Sequence, residues 1–92
     1  MYYKTQGTDE FLFNPAPVRI LGTIRKNWAI NKKRLSKLAY VTYSHTCQVL
    51  KILEERGIVD FVNEGKEIEV FLTEDGEKIA DHMADIKVIL NA

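Results

Sequence analysis

The chain has 92 residues, enough for one domain with one core but short of the large cleft that most cofactor enzymes build. Hydrophobic residues make up 46% and charged residues 28%, a globular composition that excludes a disordered chain. Thirteen Lys and Arg balance thirteen Asp and Glu, so the formal charge is zero and, taken whole, argues against a nucleic-acid binder.

Residues 1–14 mix Tyr2, Tyr3, Phe11 and Phe13 with polar residues in no firm period, and read as an N-terminal arm or a short edge strand ahead of a folded domain over 15–92. A first helix is expected over Pro15–Asn27. Asn14 can cap it, Pro15 suits its first position, and Val18, Leu21 and Ile24 form an apolar stripe, with Ile20 and Trp28 nearby. Trp28-Ala29-Ile30 reads as a brief extended link. A second helix starts after Asn31 and runs to about Tyr40, with Leu35, Leu38 and Ala39 inward. A third starts after Thr42 and stops at Gly57, with Thr46, Val49, Leu50 and Leu53 on its inner face. Ile58–Val62 and Glu67–Leu72 read as strands joined by a turn over Asn63–Lys66, the second alternating Ile68, Val70 and Leu72 with Glu67, Glu69 and Phe71. Thr73 caps a last helix whose first turn carries Glu74, Asp75 and Glu77 and whose apolar face is Ile79, Met83, Ile86 and Leu90.

The zero net charge hides a division. Residues 11–53 contain eight Lys and Arg and no acid, whereas residues 54–92 contain eleven acids and four bases. A polyanion responds to the local field, so the basic half can face phosphate although the sum is zero. With the inner faces fixed, Lys33 and Lys37 point outward from the second helix and Arg34 flanks them. Ser44, Gln48, Lys51 and Glu55 form the outer stripe of the third, polar or basic apart from Glu55 in the last turn, with His45, Cys47 and Ile52 flanking it. Ser and Gln can exchange hydrogen bonds with base edges, Lys suits phosphate or guanine, and a helix N-terminus favours phosphate.

Catalysis finds no support. His45 and His82 lie on different helices, and no nucleophile, phosphate-loop, dinucleotide or zinc-protease motif occurs. The lone Cys47 permits no intrachain disulfide, and no Cys/His spacing suggests a structural metal. No apolar run approaches the ~18 residues of a membrane span and no signal peptide opens the chain, so the expected location is cytoplasmic, with no membrane partner.

Residues 35–59, LSKLAYVTYSHTCQVLKILEERGIV, resemble the helix-turn-helix of winged-helix transcription regulators of the MarR type and their small archaeal relatives. In those proteins a Leu-Ala-x-x-Leu-Gly-Val-Ser segment leads into a recognition helix ending Leu-Glu-x-x-Gly-Leu-Val. LEERGIV (Leu53–Val59) matches that ending, and LTEDGEKIA (Leu72–Ala80) resembles the Leu-Thr-x-x-Gly segment after the wing. The resemblance implies an α+β winged-helix fold: a three-helix core, a two-stranded hairpin wing and a C-terminal helix. It implies a sequence-specific regulator of double-stranded DNA whose recognition helix, about 43–56, enters the major groove. The family's base-reading positions fall on Tyr43, Ser44, His45 and Gln48, and its wing tip on Asn63–Lys66.

Departures are visible too. Tyr40 replaces the usual turn glycine, so the turn geometry is expected to differ. The wing carries Asp60, Glu64, Glu67 and Glu69 with Lys66 as its only base, and the chain is shorter than full MarR proteins, so their extra dimerisation helices and a ligand pocket between them are not expected.

Charge map and resemblance together nominate Lys32, Lys33, Arg34, Lys37, Thr42, Tyr43, Ser44, His45, Gln48, Lys51 and Lys66 as DNA-binding residues, with no catalytic residue, metal or cofactor. A homodimer is expected through the last helix, where Ile86, Ile89 and Leu90 extend past what a small core needs; the aromatic arm can join it. The competing readings are a protein-interaction module that uses the acidic wing and last helix without DNA, and a DNA coater without sequence preference.

Overall fold

The computed structural model describes residues 6–91. Five helices and three strands follow in the order α1 (Thr8–Leu12), α2 (Pro15–Asn27), β1 (Ala29–Asn31), α3 (Lys32–Ala39), α4 (Tyr43–Glu55), β2 (Val59–Glu64), β3 (Glu67–Leu72) and α5 (Glu74–Leu90). The strands form one antiparallel sheet in the order β1-β3-β2. This is the expected winged helix.

Three helix starts are fixed by side-chain caps. Asn31 Oδ1 accepts from the Arg34 amide at 2.8 Å, Thr42 Oγ1 from the His45 amide at 3.2 Å, and Thr73 Oγ1 from the Gly76 amide at 3.1 Å. Each satisfies an amide that the first helical turn leaves without a partner. Two helix ends share one design. At the end of α4, Gly57 takes φ 73°, its amide donates to the Glu54 carbonyl and the Ile58 amide donates to the Leu53 carbonyl. At the end of α3, Tyr40 takes the same left-handed conformation (φ 57°, ψ 42°), and the Tyr40 and Val41 amides donate to the Lys37 and Ser36 carbonyls. The turn geometry therefore does not change with the residue. Tyr40 adopts the conformation a glycine would, at a cost of about 1–2 kcal/mol.

The core gathers Ile20, Leu21 and Ile24 of α2, Ile30 of β1, Leu35 of α3, four apolar residues of α4, and Val59, Val70 and Leu72 of the sheet. The buried face of α4 is wider than expected, because Ile52 joins Val49, Leu50 and Leu53. Leu38, expected inward, is 46% exposed, and Ser36 takes a buried position instead, its hydroxyl donating to the Lys33 carbonyl at 2.8 Å. Gly76 sits at a close approach between α5 and the chain before β2: a Cβ there would overlap the Ile58 carbonyl oxygen.

Two segments differ from expectation. The Trp28-Ala29-Ile30 link contains β1, which pairs Ala29–Asn31 with Phe71–Glu69. The stretch before Pro15 holds a short helix, not an edge strand. Phe11 and Leu12 of α1 are buried, and the Arg56 guanidinium holds them from the end of α4. It lies 5.2 Å from the Phe11 ring, donates to the Gln6 carbonyl at 2.9 Å and reaches Thr8 Oγ1 at 3.4 Å. Tyr2 and Tyr3 lie outside the described residues.

Candidate nucleic-acid interface

Helix α4 places Tyr43, Ser44, Gln48 and Lys51 on its solvent side. Ser44, Gln48 and Lys51 repeat at intervals of four and three residues, which keeps them on one stripe. His45 is half-buried at the flank, as is Cys47. Thr42 is exposed, and its hydroxyl oxygen accepts the capping bond from the His45 amide, which leaves its O–H able to donate outward. The Tyr43 hydroxyl hydrogen-bonds the Cys47 side chain one turn along, and that bond, reinforced by the negative charge a Cys47 thiolate would carry, holds the phenol above the usual tyrosine value.

Helix α3 starts beside this surface. Lys33, Arg34 and Lys37 are exposed, and none is ion-paired among the described residues. Lys32 behaves differently. It is half-buried and its ammonium lies 5.0 Å from the centre of the Phe61 ring, so it also fastens α3 to the wing. The wing turn is only Gly65-Lys66, tighter than the four-residue turn expected. Gly65 takes φ 69° and Lys66 does not follow it into positive φ, the pattern of a II′ hairpin turn.

The fold brings Lys32, Lys33, Tyr43 and Lys66 around one open cleft of about 310 Å³, floored by Asn31, Glu67 and Ile68. Three cations from two separate chain segments therefore meet beside the start of the recognition helix. Among the wing acids, Asp60 and Glu67 are exposed, Glu67 accepting a hydrogen bond from Asn31 Nδ2 at 3.2 Å, and Glu69 is half-buried opposite Asn31 in the sheet. Arg34, Lys37 and Lys51 do not line the cleft; they extend the basic surface along the two helices. The convergence on Lys66 rests on the hairpin register, which no local sequence signal shows, and the Lys32–Phe61 contact is equally hidden.

No group of three or more His, Cys, Asp and Glu side chains among the described residues is placed to hold a metal. None of their helices is long and apolar enough to cross a membrane.

No family model matches the chain, and no curated protein matches it in sequence. Solved structures do. A MarR family transcriptional regulator from Silicibacter pomeroyi superposes with a TM-score of 0.76 at 25% identity over 83% of this chain and 55% of its own. AF1382 from Archaeoglobus fulgidus gives 0.81 at 23% identity over 94% of this chain and 99% of its own. A protein from E. coli described as a predicted DNA-binding transcriptional regulator gives 0.73 at 17% identity, covering 82% and 80%. The chain spans about half the length of the first structures it matches, and its fold is a winged helix.

Proposed function

We propose that the protein is a sequence-specific, double-stranded DNA-binding transcriptional regulator, and not an enzyme. One observation carries the reading: the exposed faces of α3 and the first turns of α4 hold bases and hydrogen-bonding side chains without a single acid, and Lys66 of the wing joins them across a cleft. In this reading α4 enters the major groove. Ser44 and Gln48 meet base edges, with Tyr43 and His45 beside them, while Lys33, Arg34, Lys37 and Lys51 neutralise phosphates of the flanking strands. Lys32 and Lys66 close on the backbone from the wing side. Thr42 sets the register of the helix start. The likeness to transcriptional regulators supports the assignment.

A single such helix reads few base pairs, so the regulator works as a homodimer on paired half-sites. The apolar stripe of α5 supports this. It begins half-buried at Ile79 and Met83 and ends at Ile86 and Leu90, with Leu90 76% exposed and Ile89 at 73%. An apolar overhang of this kind marks an interaction surface.

The test is selection of bound sequences from a random duplex pool, followed by comparison with Gln48→Ala and Ser44→Ala. A defined site is expected, and each variant relaxes the preference at one position at a cost of about 1–3 kcal/mol. A pool that stays random under selection refutes sequence-specific binding.

A further inference from the structure

We propose that a second site, away from the DNA-facing surface, binds a small organic cation with an apolar or aromatic body. The cleft lies between the end of α2, strand β3 and the start of α5. Its volume is about 430 Å³, within the range of small-molecule sites. Ile24, Phe71 and Leu72 supply apolar wall, and the indole of Trp28 stands at the mouth.

Trp28 is the observation that asks for a ligand. It is 83% exposed, the largest apolar side chain of the protein left in water. Its backbone sits at φ 65° and ψ −68°, the uncommon γ-turn region that residues with a Cβ enter under strain. An indole held into solvent on a strained hinge adds nothing evident to the isolated fold. It does add a recognition face to the cleft beneath it.

The charge of the rim selects the ligand. Arg25 and Asp81 both line the cleft but cancel, since the guanidinium Nε donates to the carboxylate at 2.7 Å. Glu77 remains, exposed and with no ion pair among the described residues. One uncompensated carboxylate beside two aromatic rings favours a cation twice, through direct attraction and through the ring quadrupoles. An organic anion would meet Glu77, and Arg25, the one cation in the lining, is already paired with Asp81 through Nε. The site shares no residue with the proposed DNA surface, so it stands or falls independently of that reading.

The experiment uses benzyltrimethylammonium as probe, with phenylacetate and neutral N,N-dimethylbenzamide as controls. Trp28 is the only tryptophan, so its fluorescence reports directly. The ammonium is expected to change the emission saturably with a dissociation constant on the order of 1 mM, and to shift the methyl NMR signals of Ile24 and Leu72. Neither control should saturate in that range. Glu77→Gln, at an exposed position and verified as folded by circular dichroism, should weaken the ammonium about three-fold. Trp28→Leu, followed by the same methyl signals, should weaken it about as much. Equal responses to all three compounds, an unchanged constant in Glu77→Gln, or shifts that map away from Ile24 and Leu72 would each overturn the proposal.

Discussion

Replacing Gly76 with alanine should destabilise the protein strongly, although it lies in a helix where alanine is the better residue. In an unhindered helix the exchange gains about 1 kcal/mol. Here the added Cβ would overlap the Ile58 carbonyl oxygen and come within 3.3 Å of Leu72 Cβ. The obstacle is backbone, so no rotamer change relieves it. The same carbonyl accepts from the Thr73 amide at 3.1 Å and the Thr73 hydroxyl at 3.1 Å, and the hydroxyl also donates to the Gly57 carbonyl at 2.7 Å. Moving α5 away to clear the clash strains that junction. Overpacking of a tight contact costs about 1–3 kcal/mol, and two weakened hydrogen bonds add about 1 kcal/mol each. After the helical gain, the net loss is about 2–4 kcal/mol. At roughly 4–8 °C per kcal/mol for a domain of this size, Tm should fall by about 10 °C or more. Thermal unfolding followed by circular dichroism measures it. An unchanged or raised Tm would refute the close approach of α5 to the start of β2.

Other substitutions probe different parts of the account. Phe11→Ala should cost about 3–5 kcal/mol, as for a fully buried aromatic residue, and a denaturant midpoint that hardly moves would mean that α1 is not part of the core. Thr46 is fully buried in α4 and its hydroxyl has no hydrogen-bond partner among the described residues, so Thr46→Val should stabilise the fold by about 1 kcal/mol, read from the same unfolding curves. Tyr40→Gly relieves a left-handed residue at some cost in chain entropy, for a net gain of up to about 1 kcal/mol; a loss would show that the tyrosine ring contributes packing that offsets its backbone.

The parts of the fold that were legible in the sequence are those with local chemical causes. Asn31, Thr42 and Thr73 are residues whose side chains cap helices, and each caps one. Gly57 stops α4 because its positive φ suits glycine. The alternation of Glu67–Leu72 is a strand whose inner face buries Val70 and Leu72, while Ile68 on the same face is 50% exposed near the wing tip. The division of charge was equally visible, since it needs only a count.

What stayed hidden depends on partners distant in sequence. Strand β1 has three residues, too few to show a period, and exists because β3 pairs with it. Helix α1 has a single turn, and it is held by Arg56 from nearly fifty residues away. The burial of Ile52 and the exposure of Leu38 depend on where β2 and α5 pack, not on the helical stripe of either residue. At the candidate interface the individual bases were legible; the contact of Lys32 with Phe61 and the meeting of Lys66 with Lys33 and Tyr43 were not, because the register of the hairpin decides them.

The central claim, that the surface of α3 and α4 binds duplex DNA through phosphate neutralisation, is tested most directly by fluorescence anisotropy on a labelled mixed-sequence duplex across a series of salt concentrations. Binding should weaken steeply with salt, and a Lys33→Ala/Lys37→Ala variant should bind more weakly at every salt with a log–log slope smaller by about 2. No binding at low salt, or a double variant as tight as the parent throughout, would contradict it.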